Sequence, residues 1–264
     1  MKLGFIGTGN MASAMMGGII KNNIVPAGEI IGSDLSPAGR KRAEESLGIH
    51  VTESNMEVVR QAEIVVLSVK PQFYEAVICE IKDEVRDDQM IITIAPGKTL
   101  EWLEDKFGKA VKIVRTMPNT PAMVGEGMTA VCYNSHVTDE ELEQAITLLK
   151  GFSKVEVVPE HLMDAVVSTS GSSPAYVFMM IEAMGDAAVS GGMPRQQAYQ
   201  FAAQAVLGSA KMVLETGKHP GELKDMVCSP AGTTIEAVRV LEERGFKSAI
   251  FEAMKVCEEM SKNM

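Results

Sequence analysis

A short apolar segment, Lys2–Ile6, runs straight into Gly7-Thr8-Gly9-Asn10-Met11-Ala12, and Ala14, Met15, Gly18, Ile19 and Ile20 follow at helical spacing. A strand that becomes a helix through two closely spaced glycines has few geometries open to it. Gly7 suits the tight turn, Gly9 lets the main chain approach a pyrophosphate, and Ala12 permits close helix–strand packing. The first helical turn also leaves N–H groups unpartnered at the positive end of the helix dipole. Alone, G-x-G-x-x-A is a weak signal, and an ordinary glycine turn is the competing reading. Its place between a strand and a helix gives it weight as a dinucleotide fingerprint. Ile6, Gly7, Thr8, Gly9, Asn10 and Met11 are then the expected cofactor contacts.

Strand and helix signals alternate as far as residue 159. Expected strands are Lys2–Ile6, Ile30–Asp34, Ile64–Val69, Met90–Ile94, Lys112–Arg115, Thr129–Tyr133 and Val155–Val158. Expected helices between them are Met11–Lys21, Pro37–Leu47, Met56–Gln61, Gln72–Val85, Leu100–Phe107 and Asp139–Gly151. This alternation predicts an α/β, Rossmann-type doubly wound and mostly parallel sheet over residues 1–159. From His161 the sequence reads as helical, broken at Gly191-Gly192, Lys218–Pro220 and Ser229–Gly232. Residues 160–264 are therefore expected to form an all-helical second domain. Within it, Pro174–Ser190 is apolar on nearly every side, with Glu182 and Asp186 as exceptions. A helix of that kind is normally buried all round, which points to an intersubunit interface. The two carboxylates, four residues apart, are read as a wet helix edge in preference to an acid–base pair.

Composition excludes several classes of function. The chain has 264 residues, 46% of them hydrophobic, which suits a globular protein with a sizeable core. Its formal charge of −10, with no basic run, argues against nucleic acid or an anionic membrane as partner. The longest apolar run, Ala175–Ile181, is too short to span a bilayer, and no leader pattern is read at the N-terminus. The four cysteines and four histidines are scattered without a CxxC pair, so no metal site, disulfide framework or catalytic triad is expected. Cys228 lacks a nearby base that would make it a nucleophile. A cytoplasmic enzyme is the expectation.

The other informative stretch is Pro220–Glu242. Pro230-Ala231-Gly232 cannot extend a helix backwards, so a helix is expected from Thr233, with Ile235, Val238 and Leu241 on its buried face. Ser229, Thr233 and Thr234 bring hydroxyls to its first turn. Such a turn can hold a small carboxylate without any Lys or Arg. A plain Ser/Thr N-cap is the alternative.

Taken together, these segments resemble the pyrroline-5-carboxylate reductase family. Pro220–Glu242 is similar to that family's signature over its whole length. FIGTGNMA at Phe5–Ala12, SVKP at Ser68–Pro71, RTMPNTPAMVGEGMTA at Arg115–Ala130 and SGSSPAYVF at Ser170–Phe178 agree with it in order along the chain. One departure is Ser173, where the family usually has glycine. The resemblance implies hydride transfer from NAD(P)H to the C=N bond of a cyclic imine that bears one carboxylate. It also implies a homo-oligomer, at least an intertwined dimer and, in many members, a ring of dimers.

Site residues follow from the same resemblance. Asn55 matches the residue near the adenosine. Ser68, Val69, Lys70 and Pro71, together with Ala95, Pro96 and Gly97, end strands in the crevice where open α/β sheets bind ligands. Lys70 is implied to act through its backbone. Met117 and Pro118 are implied to reach the nicotinamide and Asn119 the substrate. Ser229, Gly232 and Thr233 are expected to anchor the carboxylate, and Thr234 to hydrogen-bond the ring nitrogen. The two helix starts would then form halves of one cleft between domains.

The ribose end reads two ways. Asp34 closing the second strand favours NADH, because an acid there accepts from the ribose diol and repels a 2′-phosphate. Family comparison instead gives Ser33 to the 2′-phosphate, with Arg40, Lys41 or Arg42 at hand, and on that ground NADPH is placed ahead of NADH. Two rival functions remain at this stage. One is a hydroxy-acid dehydrogenase using Lys211 as proton donor, a pattern in which SPAGTT has no place. The other is a non-catalytic dinucleotide sensor.

Overall fold

Short β-branched runs form the interior strands, and their alternate residues go to opposite faces of one sheet. The computed structural model describes residues 2–263. Its first unit runs to Ser172 and takes in the chain again from Cys257. Within it β1 (Leu3–Ile6), β2 (Ile30–Ser33), β3 (His50–Thr52), β4 (Ile64–Leu67), β5 (Met90–Thr93), β6 (Lys112–Met117), β7 (Gly127–Tyr133) and β8 (Ser153–Val157) make a sheet of order β3-β2-β1-β4-β5-β6-β7-β8. All pairs are parallel except β6–β7. The order reverses between β1 and β4, which places a ligand crevice at the carboxyl ends of those two strands.

Helices α1 (Asn10–Lys21), α2 (Pro37–Leu47), α3 (Asn55–Gln61), α4 (Tyr74–Ile81), α5 (Leu100–Phe107) and α6 (Asp139–Leu149) cover the sheet. Val66, Ile92 and Val114 join Met15, Met16, Ile19 and Leu149 in one core. Their chain neighbours Val65, Ile91 and Ile113 join Val58, Ile78 and Leu103 in the other. A period of two, buried on both sides, is why these strands read as continuous apolar runs. Helix ends follow local chemistry. Ser36, Ser54, Thr99 and Thr138 cap N-termini with their side chains, while Gly48 and Gly108 end α2 and α5 in the left-handed conformation.

Three features differ from the sequence reading. β3 was not anticipated, because His50–Thr52 has no apolar run and is held only by register against Ile31–Ser33. The helix expected over Gln72–Val85 begins later, since Pro71–Phe73 forms a 3-10 turn first. After β8, a short helix α7 (Met163–Val166) passes into a π-helical turn, Val167–Gly171, closed by Ser172 N–H on the Val167 carbonyl at 2.8 Å.

The second unit, Ser173–Val256, is helical. It contains α8 (Ser173–Ser190), α9 (Arg195–Thr216), α10 (Pro220–Val227), α11 (Thr233–Glu243) and most of α12 (Phe246–Lys262). Gly192, Gly217 and Gly245 supply the positive φ angles at three of its turns. At the α8–α9 crossing a Cβ on Gly185 would stand 2.6 Å from the Tyr199 ring, so a side chain there is excluded. Asp186, half of the carboxylate pair seen in the sequence, forms an ion pair with Arg195. Phe178, Met179, Phe201, Leu207, Leu214 and Phe251 are all exposed in the single chain. That much apolar surface marks an association face.

Gly18 fixes how α1 sits: a Cβ there would lie 2.6 Å from the Phe152 Cβ and 2.7 Å from the Gly151 carbonyl. Gly18→Ala is expected to destabilise the fold by about 1–3 kcal/mol through overpacking. Urea denaturation checks this, and an unchanged midpoint would show that α1 moves away freely.

Candidate active site

The turn between β1 and α1 is bound from both neighbouring strands. Gly7 has φ +97, and a Cβ on it would sit 3.0 Å from the main chain of Ser68. Gly7 N–H donates to the Ser33 carbonyl at 2.8 Å, and the Ser68 hydroxyl donates to the Gly7 carbonyl at 2.7 Å. Gly9 is the N-cap of α1, whose first turn has no side-chain cap and no acidic residue. A Cβ built on Gly9 meets no atom within 4 Å and would project into open space. The main chain is thus bare where a pyrophosphate would approach, with unpartnered donors and the positive dipole end beside it.

A cleft of about 490 Å³ opens at this point, lined by Gly7, Gly9, Asp34, Asn55, Ser68 and Lys70 among others. Its residues fit a dinucleotide: a naked glycine turn at one side, a polar strand end at the other, and apolar walls from Val69 and Val77.

Asp34 is held in place by three donors. Its Oδ2 accepts from Thr8 N–H at 3.0 Å and from the Thr8 hydroxyl at 2.9 Å, and its Oδ1 accepts from Ser36 N–H at 2.9 Å. Burial acts to raise its pKa. The hydrogen bonds from Ser36 and Thr8, with the nearby Arg40 charge, outweigh burial and hold the carboxyl below its ordinary value. It is an anion at neutral pH. Ser33 is fully buried, and its hydroxyl donates to Asn55 Oδ1 at 2.7 Å. Asn55 in turn donates to Glu80 at 2.8 Å.

The remaining expected residues separate into groups. Gly7, Gly9, Ser33, Asp34, Asn55, Ser68, Val69 and Lys70 line the cleft. Ile6 and Thr8 are buried in the turn beneath it, and Asn10 and Met11 begin α1. Pro71 starts the 3-10 turn after Lys70. Ala95, Pro96 and Gly97 follow β5, and Met117, Pro118 and Asn119 close β6, all at the carboxyl edge of the same sheet. Both ends of the Asn119 amide are engaged within the unit, its Nδ2 donating to the Ser170 carbonyl at 3.0 Å and its Oδ1 accepting from Met128 N–H at 2.9 Å.

Several contributors escaped the sequence reading. Phe73, Ala76 and Glu80 line the cleft from α4 and the turn before it. Phe73 is exposed and lies out of phase with the buried face of Tyr74, Val77, Ile78 and Ile81, which is the signal that marked it. Tyr74 is fully buried; its hydroxyl donates to the Leu67 carbonyl and accepts from Ile94 N–H at 3.2 Å. It fixes the ends of β4 and β5 relative to each other, and burial pushes its pKa up. Arg115, also buried, donates to Glu160 at 2.6 Å, and the same carboxylate oxygen accepts from Leu100 N–H at 2.7 Å. Burial pushes the neighbouring Cys132 thiol up to about 12, which leaves it inert as a nucleophile.

In the second unit, α11 begins at Thr233 with Gly232 as N-cap, and no side chain caps its first turn. Ser229, the residue that a plain capping role would have used, instead accepts Gly232 N–H on its carbonyl at 3.0 Å. Its hydroxyl lies where a Cβ on Gly232 would fall, at 2.4 Å. Ala231 takes φ +57, a left-handed conformation that costs a non-glycine residue energy and brings the chain sharply into the helix. Thr233 and Thr234 then stand on an open N-terminal turn. Lys211, the proton donor of the rival dehydrogenase reading, is exposed and pairs with Glu215 at 3.4 Å.

A doubly wound sheet with a bare glycine turn at its switch point, joined to a helical unit, defines a dinucleotide-dependent oxidoreductase. The comparisons with known proteins are narrower. Residues 160–264 match a family profile described as pyrroline-5-carboxylate reductase dimerisation, and residues 2–97 one described as NADP oxidoreductase coenzyme F420-dependent. The pyrroline-5-carboxylate reductase of Escherichia coli (strain K12) is 52% identical over 263 residues, covering 100% of this chain and 98% of that protein. That of Methanosarcina acetivorans is 44% identical, covering 100% and 97%. The pyrroline carboxylate reductase of Plasmodium falciparum, solved with NADP bound, superposes with a TM-score of 0.92 at 32% identity, covering 99% and 97%. The chain belongs to the pyrroline-5-carboxylate reductase family.

Because a Cβ on Gly9 meets nothing in the protein, Gly9→Val is expected to leave folding intact and abolish dinucleotide binding. Calorimetric titration with NADH and NADPH checks this; retained affinity for either would remove the turn from the site.

Proposed function

We propose that this chain reduces 1-pyrroline-5-carboxylate to proline with NAD(P)H, the last step of proline biosynthesis, in the cytoplasm. The observation that carries the proposal is full-length kinship at 52% identity with a reductase of that name. The domains divide the work, with residues 1–159 binding the dinucleotide and 160–264 binding substrate and a second subunit. The dinucleotide supplies the hydride that attacks the C=N carbon. What remains for the protein is to bind and orient. The open first turn of α11 takes the substrate carboxylate through its N–H groups, with Ser229 and Thr233 hydroxyls beside them. Thr234 hydrogen-bonds the ring nitrogen and steadies the developing amine. The iminium proton comes from solvent before binding, so no strongly perturbed acid or base is needed. Orientation at contact distance accounts for about 7–11 kcal/mol of barrier lowering in favourable cases. Asn119, with both amide ends engaged, serves by holding the β6–β7 connection against Ser170.

The bare helical faces of α8 and α9 support an obligate homo-oligomer, at least a dimer, with a ring of dimers as the larger assembly implied by resemblance. Light scattering at micromolar concentration is expected to give a mass of two or more chains; a monomer would contradict this.

The activity is tested by following nicotinamide absorbance with the imine. Oxidation of either cofactor with proline as product is the expected result, and binding of both without turnover would favour the sensor reading. Thr234→Val is expected to lower kcat by about tenfold to a hundredfold, the worth of a hydrogen bond to a charged group, while dinucleotide affinity stays unchanged. Undiminished kcat would remove the ring-nitrogen role.

A further inference from the structure

Two carboxylates, Asp34 and Glu80, line the cleft at the ribose end with Lys70, and Arg40 and Lys41, two of the cations the sequence placed nearby, are held by other partners. Arg40 Nη1 donates to the Asp34 carbonyl at 2.6 Å and to the Leu35 carbonyl at 3.3 Å, while its Nη2 pairs with Glu53 at 3.5 Å. Lys41 pairs with Glu45 at 3.7 Å along the exposed side of α2. None of Arg40, Lys41 and Arg42 lines the cleft, whose charged lining is Asp34, Glu80 and Lys70.

The start of α2 is where a 2′-phosphate would find N–H donors after β2. Asp34 already holds that ground. Its carboxylate accepts from Ser36 N–H, and the Cβ direction of Gly39, in the first turn of α2, points at it from 3.2 Å. The Ser36 hydroxyl is likewise engaged, accepting from Gly39 N–H at 3.2 Å. Ser33, the residue that resemblance assigned to the phosphate, lines the cleft as a buried side chain, and its hydroxyl is already given to Asn55 Oδ1.

We infer that Asp34 is the specificity-determining residue of this cofactor site and that it selects the unphosphorylated dinucleotide, NADH, over NADPH. The inference rests on the proposed reductase function and reverses the order that resemblance gave for the two cofactors. Its physical content is a fixed anion at the end of β2. That carboxylate accepts hydrogen bonds from a ribose diol and repels a phosphate ester at the same oxygen. Three protein donors keep it from swinging aside. A relative solved with NADP bound shows that the fold accommodates the phosphate, so the choice falls to residues at this position of this chain.

Calorimetric titration of the purified full-length protein with NADH and with NADPH, without the imine, tests the inference independently of turnover. NADH is expected to bind tighter by about tenfold or more, the effect of one uncompensated like-charge contact at a protein surface. Asp34→Asn, which keeps the shape, and Asp34→Ser, which opens space, are both expected to narrow that ratio by raising NADPH affinity. The fold of each variant is checked by its thermal midpoint. Equal or tighter binding of NADPH by the unaltered protein, or an unchanged ratio in both variants, would overturn the inference while imine reduction itself stood. Failure of both dinucleotides to bind the folded protein would overturn it together with the reductase reading.

Discussion

The structure turns on one main-chain bend, Gly7–Gly9, and on the bonds that hold it still. β2 secures it from one side through the Ser33 carbonyl and the Asp34 carboxylate, and β4 from the other through the Ser68 hydroxyl. These ties converge because the strand order reverses between β1 and β4, which leaves the bend at the open end of the crevice. An unsupported glycine turn would sample many conformations, since glycine loses the most entropy on ordering. Here the neighbouring strand ends impose one. The donors of the first turn of α1 are thereby aimed at a fixed place before any ligand arrives.

A second helix start has the same character. α11 opens without a side-chain cap, after a left-handed alanine that no simple N-cap requires. On the proposed reading neither anion site depends on lysine or arginine, which would reconcile a chain of net charge −10 with two anionic ligands. Local dipoles and aligned N–H groups act over a few ångströms, and the overall charge is screened beyond about 8–10 Å at ordinary salt. The proposed chemistry accordingly calls on no strongly perturbed acid or base in the site.

Much of this was legible in the chain. Gly7, Gly9 and Ala12 following an apolar strand fixed the first βα turn. The apolar runs Ile64–Val69 and Met90–Ile94 announced strands of a mostly parallel sheet covered on both faces. The helices expected over Pro37–Leu47 and Leu100–Phe107 keep those bounds, and capping chemistry at Ser36, Gly48, Thr99 and Gly108 is what sets them. β3 stayed hidden because His50–Thr52 is short and edge-lying, formed by register and not by its own propensity. The reversal of β7 was equally invisible, since strand direction leaves no mark on an apolar run. At the site, sequence placed Ser33 and Asp34 side by side but could not tell which pointed inward. A strand alternates every residue, so a shift of one exchanges their roles. Tyr74 and Arg115 were missed for a related reason: each acts through partners elsewhere in the sequence.

Two uncapped helix starts are proposed to hold the anionic groups of the two ligands. A crystal structure of the protein with NADH and proline tests this most directly. The pyrophosphate is expected against the N–H groups at Gly9–Met11 and the proline carboxylate against those of Thr233 and Thr234. A carboxylate held by a lysine or arginine side chain, with the α11 turn bare, would contradict it.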